Sequence, residues 1–369
     1  MTASTATRFT LPPDRAATEP PESRGLARDQ VRLLVADGTA VWHARFHDLP
    51  RFLEPGDLLV VNTSATVPAA VDADGVTVHF ATALDEPDGV VTTMDGPGGW
   101  VVEPRRPDGS GPARDRVPGE RIALPGGGSV TLAGTVPGSD RLWRARVEVP
   151  GGMPGHGAVL GYLARYGRPI RYGYLRGRWP LAAYQTVFAR DPGSAEMPSA
   201  GRPFSADLVT RLVASGVAAA PVTLHTGVSS VESGEPPQAE RFQVPGHTAG
   251  LVAWTRGHGG RVVAVGTTVA RALESVALPD GTVRAGTGWT DLVLSRTRPA
   301  RVVDGLVTGW HEPAASHLSL LTAVAGVELV QRVYDAAVSG PYLWHEFGDA
   351  ALLLPDRVSP KGKNIDPND

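Results

Sequence analysis

The sequence predicts a mixed α/β protein. Its main α/β domain is built from βαβ units, and a small antiparallel β-barrel domain is inserted into it. Three observations carry this expectation. Strand–helix–strand texture runs through the chain after about residue 164. A middle stretch from Val67 to Leu163 holds short strand-like runs divided by Gly, Pro and Asp turns, with no convincing helix. Apolar strand-like runs precede that stretch, so the main domain is interrupted rather than followed by it. The domains are therefore expected at 1–66 with 164–369, and at 67–163.

Met1–Arg28 is polar and Pro-rich and reads as a disordered lead-in. Val31–Ala36 and Ala40–Phe46 flank Asp37-Gly38, a hairpin signal. Arg51–Asp57 reads as a turn and Leu58–Asn62 as a short apolar strand. VTVHFAT, GVVTTM, GWVVEP, ERIAL, SVTLAGTV and LWRARVEV supply the strands of the middle. Tyr184–Ala189 is rich in aromatic and β-branched residues and reads as a strand. Asp191–Pro203 is dense in Gly, Ser and Pro and reads as irregular. Ser205 caps a helix with Asp207 in its first turn, where the helix dipole favours a carboxylate. Leu208, Val209, Leu212 and Val213 form its apolar face, and Gly216 stops it. Val217–Leu224 reads as a buried strand, completing a βαβ unit with Tyr184–Ala189. Further on, Glu232–Pro245 reads as a polar loop, His247–Gly257 as a helix and Arg261–Thr268 as a strand ending at Gly266. Val269–Ser275 starts a helix with Thr267 and Thr268 at its mouth. Trp289–Ser295 and Arg301–Gly309 read as strands, Ser316–Ala325 and Val327–Ser339 as helices, and LLLP as a final strand. The tail from Ser359 is polar and expected to be loose.

Composition narrows the function classes. The 369 residues are 42% hydrophobic and 20% charged, ordinary for a chain with real cores. Zero cysteines exclude disulfides, thiolate zinc sites and a cysteine nucleophile. The net charge of −3 argues against nucleic-acid binding by bulk charge but leaves room for a local basic patch. Met1–Thr10 lacks the apolar segment of a signal peptide, and no apolar run reaches the ~20 residues of a membrane helix. A cytoplasmic protein with no membrane partner is expected.

Two features point to chemistry. Arg165–Arg178 packs five arginines and three tyrosines into fourteen residues. Arg165, Arg168, Arg171, Arg176 and Arg178 suit phosphate contact, and the tyrosines suit base stacking. The plain alternative is a solvated connector. Second, His225, Thr267, Thr268, Arg271, Asp291 and His311 all follow predicted strands, and ligands in α/β proteins sit beyond the carboxyl ends of strands. A single histidine at a strand end is more often a hydrogen-bonded structural group than a catalyst. Zinc, Walker and G-x-G-x-x-G patterns are absent, as is the G-x-S-x-G elbow of hydrolases, so no metal is expected.

YQTVFARDPGSAEMPSAGRPF followed by VTLHTG resembles the signature of the S-adenosylmethionine:tRNA ribosyltransferase-isomerases. The resemblance extends through GGRVVAVGTTVARALES, GWTDL, VVDGLVTGWHEP and FGDAALL, in order, over nearly the whole chain. It implies a β-barrel at the inserted position. It implies tRNA and S-adenosylmethionine as substrates, and transfer of the ribosyl group to the aminomethyl of a 7-deazaguanine base, with loss of adenine and methionine. The product is the epoxyqueuosine form of the tRNA. A monomer is expected. The sulfonium acidifies the adjacent carbon, so a base must sit near it, and the departing adenine needs hydrogen-bond partners. The resemblance makes His225, His311 and Asp291 the catalytic candidates. It makes Tyr184, Gln185, Gly201, Thr267, Thr268 and Arg271 the candidates for the S-adenosylmethionine pocket.

Several positions depart from the family pattern. N-D-T-R becomes Asn62, Thr63, Ser64, Ala65. G-L-H-F becomes Gly201, Arg202, Pro203, Phe204. N-F-H-L-P becomes Gly309, Trp310, His311, Glu312, Pro313. G-x-G-T-F-R-P becomes Gly227, Val228, Ser229, Ser230, Val231, Glu232, Ser233. Losing buried hydrogen-bond partners changes which substrate a site accepts. Three readings follow: the family reaction, a diverged relative that binds S-adenosylmethionine or a similar nucleoside but uses another acceptor, and a non-catalytic RNA-binding protein.

Overall fold

The computed structural model describes residues 7–84, 99–151, 155–228, 238–313 and 315–356. GVVTTM and the tail from Ser359 lie outside the described residues. The chain opens with β1 (Arg32–Asp37) and β2 (Ala40–Arg45), an antiparallel hairpin turned at Gly38. Then β3 (Leu58–Asn62) runs through the centre of the molecule with all five residues buried, and a short β4 (Ser64–Thr66) follows. The next six strands are β5 (Ala70–Ala73), β6 (Val76–Ala83), β7 (Gly99–Arg105), β8 (Arg121–Ala123), β9 (Ser129–Thr135) and β10 (Trp143–Glu148). They form a nearly closed antiparallel barrel sheet in the order β5-β6-β7-β10-β9-β8.

The chain returns through α1 (His156–Tyr166), β11 (Asp191–Ser194), α2 (Ala206–Ala214) and β12 (Ala218–Leu224). It continues with β13 (Glu240–Val244), α3 (Gly246–Gly257), β14 (Val262–Val265), α4 (Thr267–Ser275), β15 (Gly286–Thr290), β16 (Gly305–Gly309), α5 (Ser316–Ala325), α6 (Val327–Ser339) and β17 (Ala350–Leu354). The main sheet has nine strands in the order β15-β13-β12-β3-β14-β16-β17-β1-β2. Its four central strands, β12, β3, β14 and β16, are mutually parallel. Continuous Val, Leu and Ala runs suit them, because helices and loops bury both faces of such strands. One face packs on α3 to α6; Leu208 and Leu212 of α2 pack with Phe46 and Leu49 on the other.

The structure corrects several expectations. Tyr184–Ala189 is not a strand: Leu181–Tyr184 is a 3-10 turn. The side-chain amide of Gln185 clasps the backbone of Thr66 (3.0 and 2.7 Å), and Thr66 Oγ1 donates to the Tyr184 carbonyl (2.8 Å). The ladder forms later, where β11 pairs with β4 inside the stretch read as irregular. The parallel partner of β12 is therefore β3. The middle is not helix-free, because α1 lies at its end and buries Val159, Tyr162 and Leu163 against the barrel core. Glu240–Val244 is a strand, not loop, since β12 and β15 both hydrogen-bond to it. The strand expected at Trp289–Ser295 sits earlier, at Gly286–Thr290.

The described part of the lead-in, residues 7–28, packs on the body of the protein and is not disordered. Ala17 is buried and donates its N–H to the Trp344 carbonyl (3.0 Å), and the Arg24 guanidinium reaches the Phe347 carbonyl (2.9 Å). Of Arg301–Gly309 only Gly305–Gly309 is strand. The buried carboxylate of Glu274 accepts the backbone amides of Arg301, Val302 and Val303 at 2.8–3.1 Å, which holds that segment in a turn.

Glu274 joins α4 to the entry of β16, so it positions the end of that strand. Removing a buried acceptor leaves several donors unsatisfied, at about 1–3 kcal/mol each before relaxation. Glu274→Ala is expected to destabilise the protein by about 3 kcal/mol. The check is a lower urea midpoint at unchanged slope.

Candidate functional site

The carboxyl ends of β12, β3, β14 and β16 share one edge of the main sheet, and β17 starts there with Ala350 opposite Gly309. These strands deliver His225, Asn62, Gly266-Thr267 and His311 to that edge. Neighbouring strands lie ~4.8 Å apart, so β12 and β16, three steps apart, hold their ends ~14 Å apart. That span suits a nucleoside with a side chain.

At the β12 end the buried Asn62 acts as an extra peptide. Its Nδ2 donates to the Leu224 carbonyl (2.8 Å), and its Oδ1 accepts from Leu224 N and Ser64 N (both 3.0 Å). Ser64 is thereby placed with its Oγ 2.7 Å from His225 Nδ1 and 2.6 Å from Ser194 Oγ. Gly193 is required beside the ring, since a Cβ there would stand 2.5 Å from His225 Nδ1. Burial, with the nearby charges of Arg241 and His156, drives the His225 pKa down to about 3, so the imidazole is neutral.

At the β16 end His311 Nε2 lies 3.1 Å from Thr308 Oγ1. Its backbone N–H donates to the Tyr334 hydroxyl (3.3 Å), and its carbonyl accepts from Trp344 Nε1 (3.1 Å). The ring stacks on His317 with centroids 4.5 Å apart. Burial and the facing His317 and His345 hold His311 well below the ordinary histidine range. Next to it, His345 stacks on Tyr174 at 4.1 Å, and the Tyr174 hydroxyl donates to Glu346. His345 is the one non-glycine residue with positive φ (74°) among the described residues, and such backbone strain concentrates at functional sites.

Between these ends α4 begins at Gly266 (φ 96°) without a side-chain cap, so its first amides point into the edge. Thr267 is buried, and Thr268 Oγ1 lies 3.4 Å from Asn62 Nδ2. The 3-10 turn Ser199–Gly201 crosses the mouths of β14 and β16. A Cβ on Gly266 would meet Ala200 Cβ at 3.4 Å.

The structure thus gathers His225, His311, Thr267, Thr268 and Gly201 at one edge. Tyr184 stands nearby, buried against Phe347 at 5.2 Å, its hydroxyl pushed to about 12 by burial and by Glu346. Two other candidates have protein partners, and a third is exposed. Gln185 clasps Thr66. The Arg271 guanidinium ion-pairs with Glu240 and donates to the carbonyls of Thr290 (2.9 Å) and Leu292 (3.1 Å), tying α4 to β13 and β15. Asp291 follows β15 and is exposed at the rim of the edge. In the arginine segment, Arg165, Arg171, Arg176 and Arg178 are exposed, Arg178 with Asp72 at 3.7 Å, whereas Arg168 is hydrogen-bonded to Asp72 at 2.5 and 2.8 Å. Reasoning from sequence did not single out Ser64, Ser194, His317, His345 or Glu346. The signal available was the small-residue run PGS, which lets β11 press against His225.

Two surface grooves lie away from this edge. One of about 440 Å³ runs between α1 and the Pro125–Gly127 turn, lined by Tyr162, Arg165 and Tyr166. The other, about 420 Å³, lies between β2 and Tyr342. Among the described residues no cluster of three His, Asp or Glu is placed to hold a metal ion, and no helix is long and apolar enough to cross a membrane.

A family described as queuosine biosynthesis protein matches residues 5–353. The chain is 33% identical to an S-adenosylmethionine:tRNA ribosyltransferase-isomerase of Synechococcus elongatus, over 95% of this chain and 96% of that one. It is 36% identical to the protein so named from Gloeobacter violaceus, over 94% of each. The crystal structure of the S-adenosylmethionine tRNA ribosyltransferase of Thermotoga maritima superposes with a TM-score of 0.50 at 27% identity, covering 95% of this chain and all of that one.

The neutral His225 has a consequence for stability. Its pKa falls from 6.5 in the unfolded chain to about 3 in the folded protein. The unfolded state therefore binds the extra proton between these values. Stability from this group is complete above pH 6.5 and is lost as pH falls towards 3. His225→Gln is expected to flatten the stability profile from pH 6 to 4 by up to about 1.4 kcal/mol per pH unit. Urea unfolding at stepped pH measures the slope. An unchanged slope contradicts the burial argument.

Proposed function

Because the chain belongs to the family of queuosine biosynthesis proteins, we propose that it transfers and isomerises the ribosyl moiety of S-adenosylmethionine onto a 7-aminomethyl-7-deazaguanine base in tRNA, giving epoxyqueuosine, adenine and methionine. The observation that carries the reading is the pair of neutral imidazoles, His225 and His311, at opposite ends of one sheet edge of nucleoside length. S-adenosylmethionine supplies a sulfonium whose charge acidifies the neighbouring carbon. His311 accepts that proton: the Thr308 hydroxyl donates to the Gly309 carbonyl (3.1 Å), so His311 Nε2 holds the proton towards Thr308 and Nδ1 keeps the lone pair. Its lowered basicity keeps it unprotonated at neutral pH. The first amides of α4 and the hydroxyls of Thr267 and Thr268 receive the carboxylate of the methionyl part. Ser199–Gly201 and Tyr184 close the edge from above. Asp291, at the rim, faces the incoming acceptor.

The tRNA contacts the exposed guanidinium groups of Arg165, Arg171, Arg176 and Arg178. Tyr166, half-buried at the end of α1, extends that surface. Arg168 keeps the segment in place through Asp72 and adds no phosphate contact. The protein acts as a cytoplasmic monomer. A different acceptor is favoured by one feature, Arg202. It stands where the family pattern has a leucine, next to Pro203 in place of the histidine, and its guanidinium is buried on Glu22 (2.8 Å) and the Ala183 carbonyl (2.9 Å).

Adenine release from S-adenosylmethionine, measured with precursor-bearing tRNA, tests the reading. Release is expected to depend on that tRNA and to fall by about 10²–10⁴-fold in His311→Ala. Tight tRNA binding without adenine release would point to the other acceptor or to a non-catalytic protein.

The RNA surface has its own test. Log affinity for tRNA is expected to fall linearly with log salt. Arg171→Ala with Arg176→Ala is expected to reduce that slope by roughly 0.7–0.9 per contact, without unfolding the chain. A slope unchanged by the double variant removes this segment from the interface.

A further inference from the structure

The buried hydroxyls under His225 decide which of its nitrogens carries the proton. Ser194 Oγ accepts from Thr226 N (3.0 Å). Ser64 Oγ touches Ser194 Oγ (2.6 Å) and His225 Nδ1 (2.7 Å). Ser194 is fully buried and Ser64 is 1% exposed, so solvent does not take a stray hydroxyl proton. If Nδ1 carried the proton, it would donate to Ser64, and Ser64 would donate to Ser194. The Ser194 proton would then have no acceptor among the described residues, and a buried donor without an acceptor is costly. In the other direction every proton is used. Ser194 donates to Ser64, Ser64 donates to the Nδ1 lone pair, and the ring proton sits on Nε2. The bond made by one ring nitrogen fixes the state of the other.

We propose that Ser64 is a positioning residue that holds His225 as the Nε2–H tautomer, so that His225 serves as a hydrogen-bond donor and not as a base. Its Nδ1 side is enclosed by Gly193, Ser64 and Ser194; Nε2 points the other way across the ring. The ligand feature it suits is a neutral or developing-negative acceptor, such as a heteroaromatic ring nitrogen that gains charge as a purine departs. The division of labour then follows from the two hydroxyls: Thr308 leaves His311 a lone pair, and Ser64 leaves His225 an N–H. What His225 donates to rests on the function proposed above; its tautomer does not.

The tautomer is read directly by two-bond proton–nitrogen correlation of ¹⁵N-histidine in the full chain at pH 7.5. The ten histidines are resolved by identifying the His225 signals as those lost in His225→Gln. Expected is a pyridine-like Nδ1 and a pyrrole-like Nε2. The reverse pattern, or an average of both tautomers, overturns the proposal. Ser64→Asp places an acceptor-only group at Nδ1 and is expected to invert the pattern, whereas Ser64→Ala is expected to average it. Should the Asp variant fail to fold, the Ala variant decides: an unchanged pattern removes Ser64 from the role. Absent adenine release together with the expected tautomer counts against the proposed reaction alone.

Discussion

The side-chain amide of Asn62 is the contact on which the working edge of the sheet depends. β3 ends at Asn62, and beyond it the chain must leave the sheet to enter the barrel. The amide continues the β-ladder for one more step by pairing with both backbone groups of Leu224, and its oxygen also holds Ser64 N. A buried amide with donor and acceptor both engaged has one orientation, so the assignment of its oxygen and nitrogen is set by its partners. Three consequences follow from this one residue. β12 keeps its register to its last residue, His225 leaves the strand at a fixed point, and β4 starts with Ser64 beneath the imidazole. An aspartate at 62 would lose the donor to Leu224; a leucine would leave two amides and a carbonyl without partners.

The same edge is built to hold little free positive charge. The buried arginines of the main sheet each have a carboxylate: Arg271 with Glu240, Arg202 with Glu22, Arg261 with Asp57. Glu240 also accepts the Gly227 N–H (3.1 Å), so the Arg271 pair steadies the loop after His225 as well as α4. Such pairs contribute modestly to stability, because desolvation offsets their attraction, but removing one partner strands the other. Their value here is geometric. Arg271–Glu240 and Arg202–Glu22 join elements that come from different parts of the chain, while Arg261–Asp57 clasps the amino ends of β3 and β14 at the opposite edge.

Much of this was legible in the sequence, and what was not has identifiable causes. The central strands announce themselves as continuous apolar runs; β3, β12 and β14 fall where those runs lie. The helix after Ser205 has the expected cap, with Ser205 Oγ accepting Leu208 N at 3.1 Å. Tyr184–Ala189 misled because propensity was outbid by tertiary bonding: Gln185 and Thr66 satisfy each other, and the ladder moved to Asp191–Ser194, whose Pro and Gly read as loop. β13 was hidden because Glu240–Val244 is short, opens on two charged residues and gains its ladder only from two distant strands. The helix α1 was missed because Gly157 and Gly161 dilute its periodicity. Of the site, histidines at strand ends were visible from spacing. Their supporting hydroxyls were not, since Ser64 and Ser194 are 130 residues apart in sequence and 2.6 Å apart in space.

The altered motif residues take on a physical meaning in this setting. Thr63, where the family pattern has an acid, places its hydroxyl 2.9 Å from Thr223 Oγ1 and 3.2 Å from Asp191 Oδ2. A carboxylate is thus present at that corner, carried by β11 instead of by the β3–β4 turn. Arg202, where the pattern has a leucine, pairs with Glu22 and stacks over Phe347 at 5.0 Å, locking the N-terminal segment to the loop before β17. The first change moves a carboxylate from the β3–β4 turn to β11; the second adds a guanidinium that is paired with Glu22. The edge itself presents two neutral imidazoles, an amide, hydroxyls and the amides of α4, with Asp191 at one corner and Arg241 near His225. A sulfonium is a cation and is repelled by protonated histidine, so on the proposed reaction neutral imidazoles at both ends of the edge add no opposing charge of their own. On the same proposal, burial, which lowers the basicity of His225 and His311 in the free protein, is also the condition for a positively charged nucleoside to bind between them.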